Sequence, residues 1–92
     1  MALEWEEPKD PDEVLDYQLN WATRLVPGDE ILTSTWILPE GIVRDSDEQS
    51  ISDTTIWLSS GVLGATYDIL NRVTTSGGRT MDQTVRLKCK AK

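Results

Sequence analysis

The chain has no histidine, no phenylalanine and one cysteine, Cys89, and no apolar run approaches the ~20 residues of a membrane-spanning helix. Without histidine the side chain that titrates near neutral pH is missing, and so is the commonest metal ligand. Ser-His and Cys-His nucleophile pairs are excluded within one chain. A single cysteine cannot close an intrachain disulfide, and a reducing site of folding agrees with that. Cys89 shares an alternating face with Val85 and Leu87, so a buried thiol is expected rather than a reactive one. The N-terminus, Met1-Ala2-Leu3-Glu4, is acidic and lacks the apolar centre of a secretory leader. Basic residues are outnumbered, nine Lys and Arg against sixteen Asp and Glu, for a net charge of −7. That balance opposes sequence-independent nucleic-acid binding and anionic membranes, both of which need cationic surface.

What is present is a period of two. In Leu15-Asp16-Tyr17-Gln18-Leu19-Asn20-Trp21 every odd position is large and apolar and every even one polar, the mark of a half-buried strand. Tyr67, Ile69, Val73 and Thr75 repeat the spacing, and Val85, Leu87 and Cys89 alternate with Arg86 and Lys88. Strands are expected over about 14–22, 31–38, 42–44, 54–59, 66–75 and 80–90. Leu32, Ser34, Trp36 and Leu38 are expected on one face of the second of these. Val26-Pro27-Gly28-Asp29, Pro39-Glu40-Gly41 and Ser76-Gly77-Gly78-Arg79 are turns, the last a tight hairpin in which glycine supplies positive φ. Asp45-Ser46-Asp47-Glu48-Gln49-Ser50 reads as a polar loop. No segment sustains a helical period. Six or seven short strands with regular turns give an all-β antiparallel sandwich or small barrel of one domain. Trp36 in mid-strand, Tyr67 at the start of the penultimate strand and the final hairpin favour an immunoglobulin-like sandwich, without its disulfide. The expected core holds Tyr17, Leu19, Trp21, Trp36, Tyr67, Ile69, Val85 and Leu87. It is thin, because a chain of this size buries only about 60–65% of its unfolded surface.

Residues 1–13 form an acidic, proline-punctuated arm ahead of the sandwich domain, 14–92. The arm either adds a short edge strand or stays mobile, and removing residues 2–12 is expected to leave the remainder folded. Leu3 and Trp5, its large apolar groups, have a sheet edge of their own domain or another subunit as possible seats. Seven acids in the first sixteen residues and four cations in the last seven either meet different partners or face each other. Trp57 lies opposite Ile56 and Leu58 in its strand, so one set faces outward, and an exposed tryptophan is a common interface anchor. Leu3, Trp5 and Trp57 are therefore the candidate partner-binding residues.

Catalytic and cofactor signatures are sparse. The acids of 45–48, with Asp53 nearby, lack the spacing and the glycine of a calcium loop, so a solvated loop is expected and no metal or cofactor. Carboxylate pairs for glycoside hydrolysis need a cleft and one raised pKa, neither of which is legible here. Ser76-Gly77-Gly78-Arg79 precedes a strand rather than a helix, unlike a phosphate-binding loop.

Asp10-Pro11-Asp12-Glu13-Val14-Leu15-Asp16-Tyr17, Asn20-Trp21, Gly28-Asp29, Ile31, Ser34-Thr35-Trp36 and the stretch Asn71-Arg72-Val73-Thr74-Thr75-Ser76-Gly77-Gly78-Arg79 together resemble a family of small tailed-phage and prophage proteins, the fiber–tail adaptors. The resemblance spans about residues 10–90. It departs at Asn20, where an acid is usual before the tryptophan. It implies an immunoglobulin-like sandwich without a catalytic motif. The expected role is that of a virion structural protein, made in the host bacterial cytoplasm, that joins other virion proteins in several copies and binds neither nucleic acid nor membrane. A capsid decoration or head-completion protein, and a calcium- or glycan-binding module on a fiber, are the alternatives.

Overall fold

Alternating side chains force extended segments to bury one face, and in the computed structural model they do so as two facing sheets. The structure describes residues 3–92, in which every regular element is a strand. The strands are β1 (Leu3–Glu4), β2 (Leu15–Asn20), β3 (Ile31–Ile37), β4 (Ile42–Gln49), β5 (Asp53–Ser60), β6 (Thr66–Thr75) and β7 (Thr80–Lys88). One sheet has the order β1-β7-β6-β3 and the other β2-β5-β4. Neighbours are antiparallel except β1, which runs parallel to β7 with Leu3 beside Val85. The β2-β5-β4 and β3-β6-β7 orders reproduce the B-E-D and C-F-G sheets of an immunoglobulin-type sandwich. β6 and β7 form the expected hairpin, with Thr74 paired to Thr80 and Gly78 at φ 85°.

All eight expected core residues are buried between the sheets, joined there by Ile31, Ile42, Ile56, Leu58, Val73, Met81 and Cys89. Burial raises the Cys89 thiol above its ordinary pKa. Gly61, at φ 102°, passes so close that a Cβ there would stand 2.6 Å from Cys89 Sγ. Tyr67 forms a tyrosine corner: its hydroxyl accepts a hydrogen bond from the Val62 N–H at 2.8 Å.

Two local expectations are corrected. Residues 45–49 are not loop but the body of β4, paired to β5 from Ile42–Ser60 to Gln49–Thr54. β4 is an edge strand with most side chains in water, so the pairing leaves no apolar alternation to read. In β3 the shared face of Leu32, Ser34, Trp36 and Leu38 is broken. A bulge between Ile31 and Thr33 adds one residue, so Ile31 and Trp36 are both buried while Leu32 is 59% exposed.

Candidate functional site

One end of the sandwich gathers the β2–β3, β4–β5 and β6–β7 connections. Trp21, just past β2, donates its indole N–H to Thr54 Oγ1 (3.2 Å) and Asn71 Oδ1 (3.1 Å). The same Asn71 oxygen accepts from the Thr54 hydroxyl at 2.7 Å. The Asn71 amide donates to Ser34 Oγ (2.9 Å) and to the Thr35 carbonyl (3.1 Å). Asn71 therefore uses both its oxygen and its amide in a buried, fully satisfied network that ties β3, β5 and β6 together, much as a disulfide would bridge the layers. Asp29 performs the matching task at the surface. Its Oδ1 accepts from the Gly77 N–H at 2.7 Å and the Ser76 hydroxyl at 3.0 Å, which locks the β2–β3 loop to the hairpin turn. Desolvation pushes this carboxyl up, but the bonds from Gly77, Thr75, Ser76 and Glu30 together outweigh it and hold its pKa below the usual carboxylate range. Arg79 donates to the Arg24 carbonyl (3.3 Å), and Arg24 stacks over the Trp21 ring at 5.0 Å. Asn20, the departure from the family pattern, accepts from the Ala22 N–H at 2.8 Å, a turn-stabilising bond that an aspartate would make equally well.

At the opposite end the N-terminal segment is woven into the sheet. Lys9 is fully buried, pairs in parallel with Cys89, and donates its ammonium to the Ser60 carbonyl (2.6 Å) and the Asp10 carbonyl (2.9 Å). Ser60 presents that carbonyl from a left-handed backbone, φ 64°. The Asp10-Pro11-Asp12-Glu13 motif is a reciprocally bonded turn. Glu13 Oε1 accepts from the Asp10 N–H, Asp10 Oδ1 accepts from the Asp12 N–H, and the Glu13 N–H returns to the Asp10 carbonyl, each at 2.9 Å. The Tyr17 hydroxyl donates to the Glu7 carbonyl at 3.0 Å, and burial pushes its pKa up to about 12. Of the two arrangements left open for the charged termini, the chain adopts the one in which they face each other. Lys92 contacts Glu7 (2.6 Å) and Glu13 (2.9 Å), and Lys88 contacts Glu4 (3.4 Å).

The three candidate partner-binding residues do not form one patch. Leu3 is half exposed on β1. Trp5 is partly buried in its own domain. Its indole N–H donates to the Gln18 carbonyl (2.9 Å), and its ring lies 4.8 Å from Tyr17 and 6.2 Å from Trp36. Trp57, 39% exposed, stands on the outer face of the three-stranded sheet between Asp16 and Ser46. Val43, two ladder positions away opposite Ser59, joins it as an exposed apolar neighbour. Alternation counted on from Trp57 along β5 to Ser59, and across to β4, names Val43 once the β4–β5 register is known.

Among the described residues, no three acidic or cysteine side chains are grouped so as to hold a metal ion. The acids of β4 are dispersed: Asp47 pairs with Arg44, and Asp45 accepts from the Ser59 hydroxyl at 2.7 Å. What the geometry assembles is a braced body with pre-set loops and outer faces.

No curated protein matches the chain. A family model, described as podophage GP4 fiber-tail adaptor protein gp77, matches residues 9–88, which run from the buried Lys9 to the last residue of β7. With that match over most of its length, the chain belongs to the podophage GP4 fiber-tail adaptor family.

Proposed function

We propose that this chain is a non-enzymatic adaptor of a phage virion, joining the tail or connector to a fiber or to neighbouring virion proteins. One observation carries the reading. The residues on which the family resemblance rests are spent on bracing: Asn71, Trp21 and Ser34 inside, Asp29 between loops, Asp10 and Glu13 on a turn. Residues used this way pre-organise a surface, which lowers the ordering cost of binding another protein. Leu3, Trp5 and Trp57 remain the proposed contact residues, with Trp57 and Val43 the pair that reaches water on one face. Residues 1–13 are the segment proposed to reach a neighbouring protein, and 14–92 the sandwich in which Lys9 anchors it. The acidic balance suits contact with proteins rather than with nucleic acid or membrane. The protein is made in the host bacterial cytoplasm and enters the particle in several copies, as the symmetry of a tail requires.

Electron microscopy of purified particles, with and without this chain, tests the proposal. Copies are expected where tail and fiber meet, and particles lacking the chain are expected to lack fibers. Copies located on the head, or fibers attached normally without the chain, overturn it.

A further inference from the structure

Each sheet of an open sandwich ends in two edge strands, and each edge exposes backbone N–H and C=O groups able to pair with another chain. Three of the four edges here are protected. β1 is two residues long and is followed by Glu6, Glu7 and Pro8. β2 carries Asp16, and its Gln18 carbonyl is already taken by the Trp5 indole. β4 carries Arg44, Asp45, Asp47 and Glu48 and is bulged between Arg44 and Ser46. The fourth edge, β3, is protected only at its start, where it is bulged between Ile31 and Thr33. Ile31–Ile37 holds no charge, proline or glycine. At its start, Ile51 accepts from the Ile31 N–H (2.9 Å) and Gln49 caps the Leu32 carbonyl (2.6 Å). Beyond that, among the described residues, no hydrogen bond from outside the sheet reaches the backbone of Thr33–Ile37, and the Thr35 carbonyl accepts from Asn71 within the sheet.

We infer that the free edge of β3, Thr33–Ile37, takes up an extended segment of a partner protein as an added strand of the β1-β7-β6-β3 sheet. The occupant has an uncharged, β-branched centre flanked by lysine or arginine. Charge selects it. The edge is bounded by the exposed Glu30 before it and Glu40 after it, and the neighbouring edge β4 adds Glu48, whereas Asp29 and Asp47 are already engaged by Gly77 and Ser76 and by Arg44. A second copy is disfavoured by the same acids. Antiparallel pairing of β3 with itself brings Glu30 of one copy against Pro39–Glu40 of the other, and facing like charges destabilise a ladder. Pro39 limits the added strand to the length of the free edge, because it offers no N–H to continue the pairing. Thr33, Thr35 and Ile37 are exposed on the outer face, so alternate residues of the added strand lie beside them.

This inference rests on the chain acting as an adaptor, and the test separates the two. In solution, the full chain is titrated with a synthetic peptide of alternating valine and threonine between lysines, and amide exchange is followed. Slowed exchange confined to residues 33–37 is expected, with binding about tenfold or more weaker when glutamates replace the flanking lysines and lost when alternate peptide amides are N-methylated. Protection centred on Trp57 overturns the inference, as does unchanged binding by the N-methylated peptide. So does protection of 33–37 that appears without peptide as concentration rises, which would make a second copy the occupant. In purified particles, exchange of the same amides is compared with the free chain. Protection supports the inference. Presence of the chain with unprotected 33–37 overturns the inference alone, and absence of the chain from particles overturns the adaptor reading.

Discussion

The two ends of the sandwich are closed by different means. At the hairpin end the closure is made by side chains of the right type in the right register: Asn71, Trp21, Thr54, Ser34 and Asp29. At the other end much of it is made by backbone carbonyls. Lys9 is held by the carbonyls of Asp10 and Ser60, and Tyr17 by that of Glu7. Both ends bury polar groups, and among the described residues all of these side-chain groups but Asp29 Oδ2 and the Trp36 indole N–H find a partner. The difference teaches that a residue pattern marks a closure only when the bonding groups are side chains. A carbonyl acceptor leaves no trace in residue identity, so the sequence suggests a detachable arm where the fold has a fixed one.

Removing residues 2–12 has the largest expected effect on either end. That deletes Trp5 and the buried Lys9 and strips the partners from Tyr17 and from the Ser60 carbonyl. In place of a folded remainder, we expect loss of the cooperative transition in thermal or urea unfolding, since total stabilities of such domains are only about 5–15 kcal/mol. A truncated chain that melts like the full one refutes this account of the arm.

Asn71→Ala attacks the hairpin end. It leaves the Thr35 carbonyl without the Asn71 amide and opens a cavity in the polar network. A cost of about 3–5 kcal/mol is expected in urea unfolding, and a cost below about 1 kcal/mol would mean that the network does not couple the layers.

The two buried tryptophans refine the picture. The Trp21 indole N–H has two acceptors, whereas that of Trp36 is buried without one. Trp21→Phe should cost about 2–3 kcal/mol and Trp36→Phe about 1 kcal/mol, because only the former deletes hydrogen bonds. Equal losses would show that ring volume, not bonding, sets both.

The smallest effect is electrostatic. Hydrogen bonds to Asp10 from the Asp12 and Lys92 N–H groups, and to Glu13 from the Lys92 ammonium and the Asp10 N–H, hold these carboxyls below their ordinary pKa, and Asp29 is lowered as well. Groups with depressed folded pKa values contribute stability that is present above the unfolded values, 3.8 for Asp and 4.5 for Glu, and is lost as pH falls through the folded ones. Melting temperature should therefore start to drop near pH 4.5 and continue dropping below 3.8, and Asp29→Asn should flatten that slope. At the alkaline limit the sign reverses. The raised Tyr17 phenol contributes stability that is complete below pH 10 and declines as pH rises towards about 12. An acid limb unchanged by Asp29→Asn would show that the loop lock does not depend on the carboxylate.

Legibility followed the same division. The alternation of 15–21, the even spacing of Tyr67 to Thr75 and the hairpin at 76–79 were plain because each strand there has one dry face and one wet face. In β3 the alternation holds for Ser34, Trp36 and Leu38 and fails at Leu32 alone, since a bulge inserts a residue there without a sequence mark. The acidic stretch in β4 reads as loop, since an edge strand exposed on both faces has no period to display. Parity alone leaves Trp57 outward or inward, and Val43 beside it needs the β4–β5 register.

By itself the sequence determined that this chain is all-β, which faces of β2, β6 and β7 are buried, and where the turns fall. Those follow from period, side-chain volume and backbone freedom within a few consecutive residues. Tertiary structure alone decided that Lys9 lies buried between carbonyls, that the acidic start meets the basic end, and that β3 is the edge left open. Each of these depends on which distant segments become neighbours, a matter settled by how the two sheets close on each other.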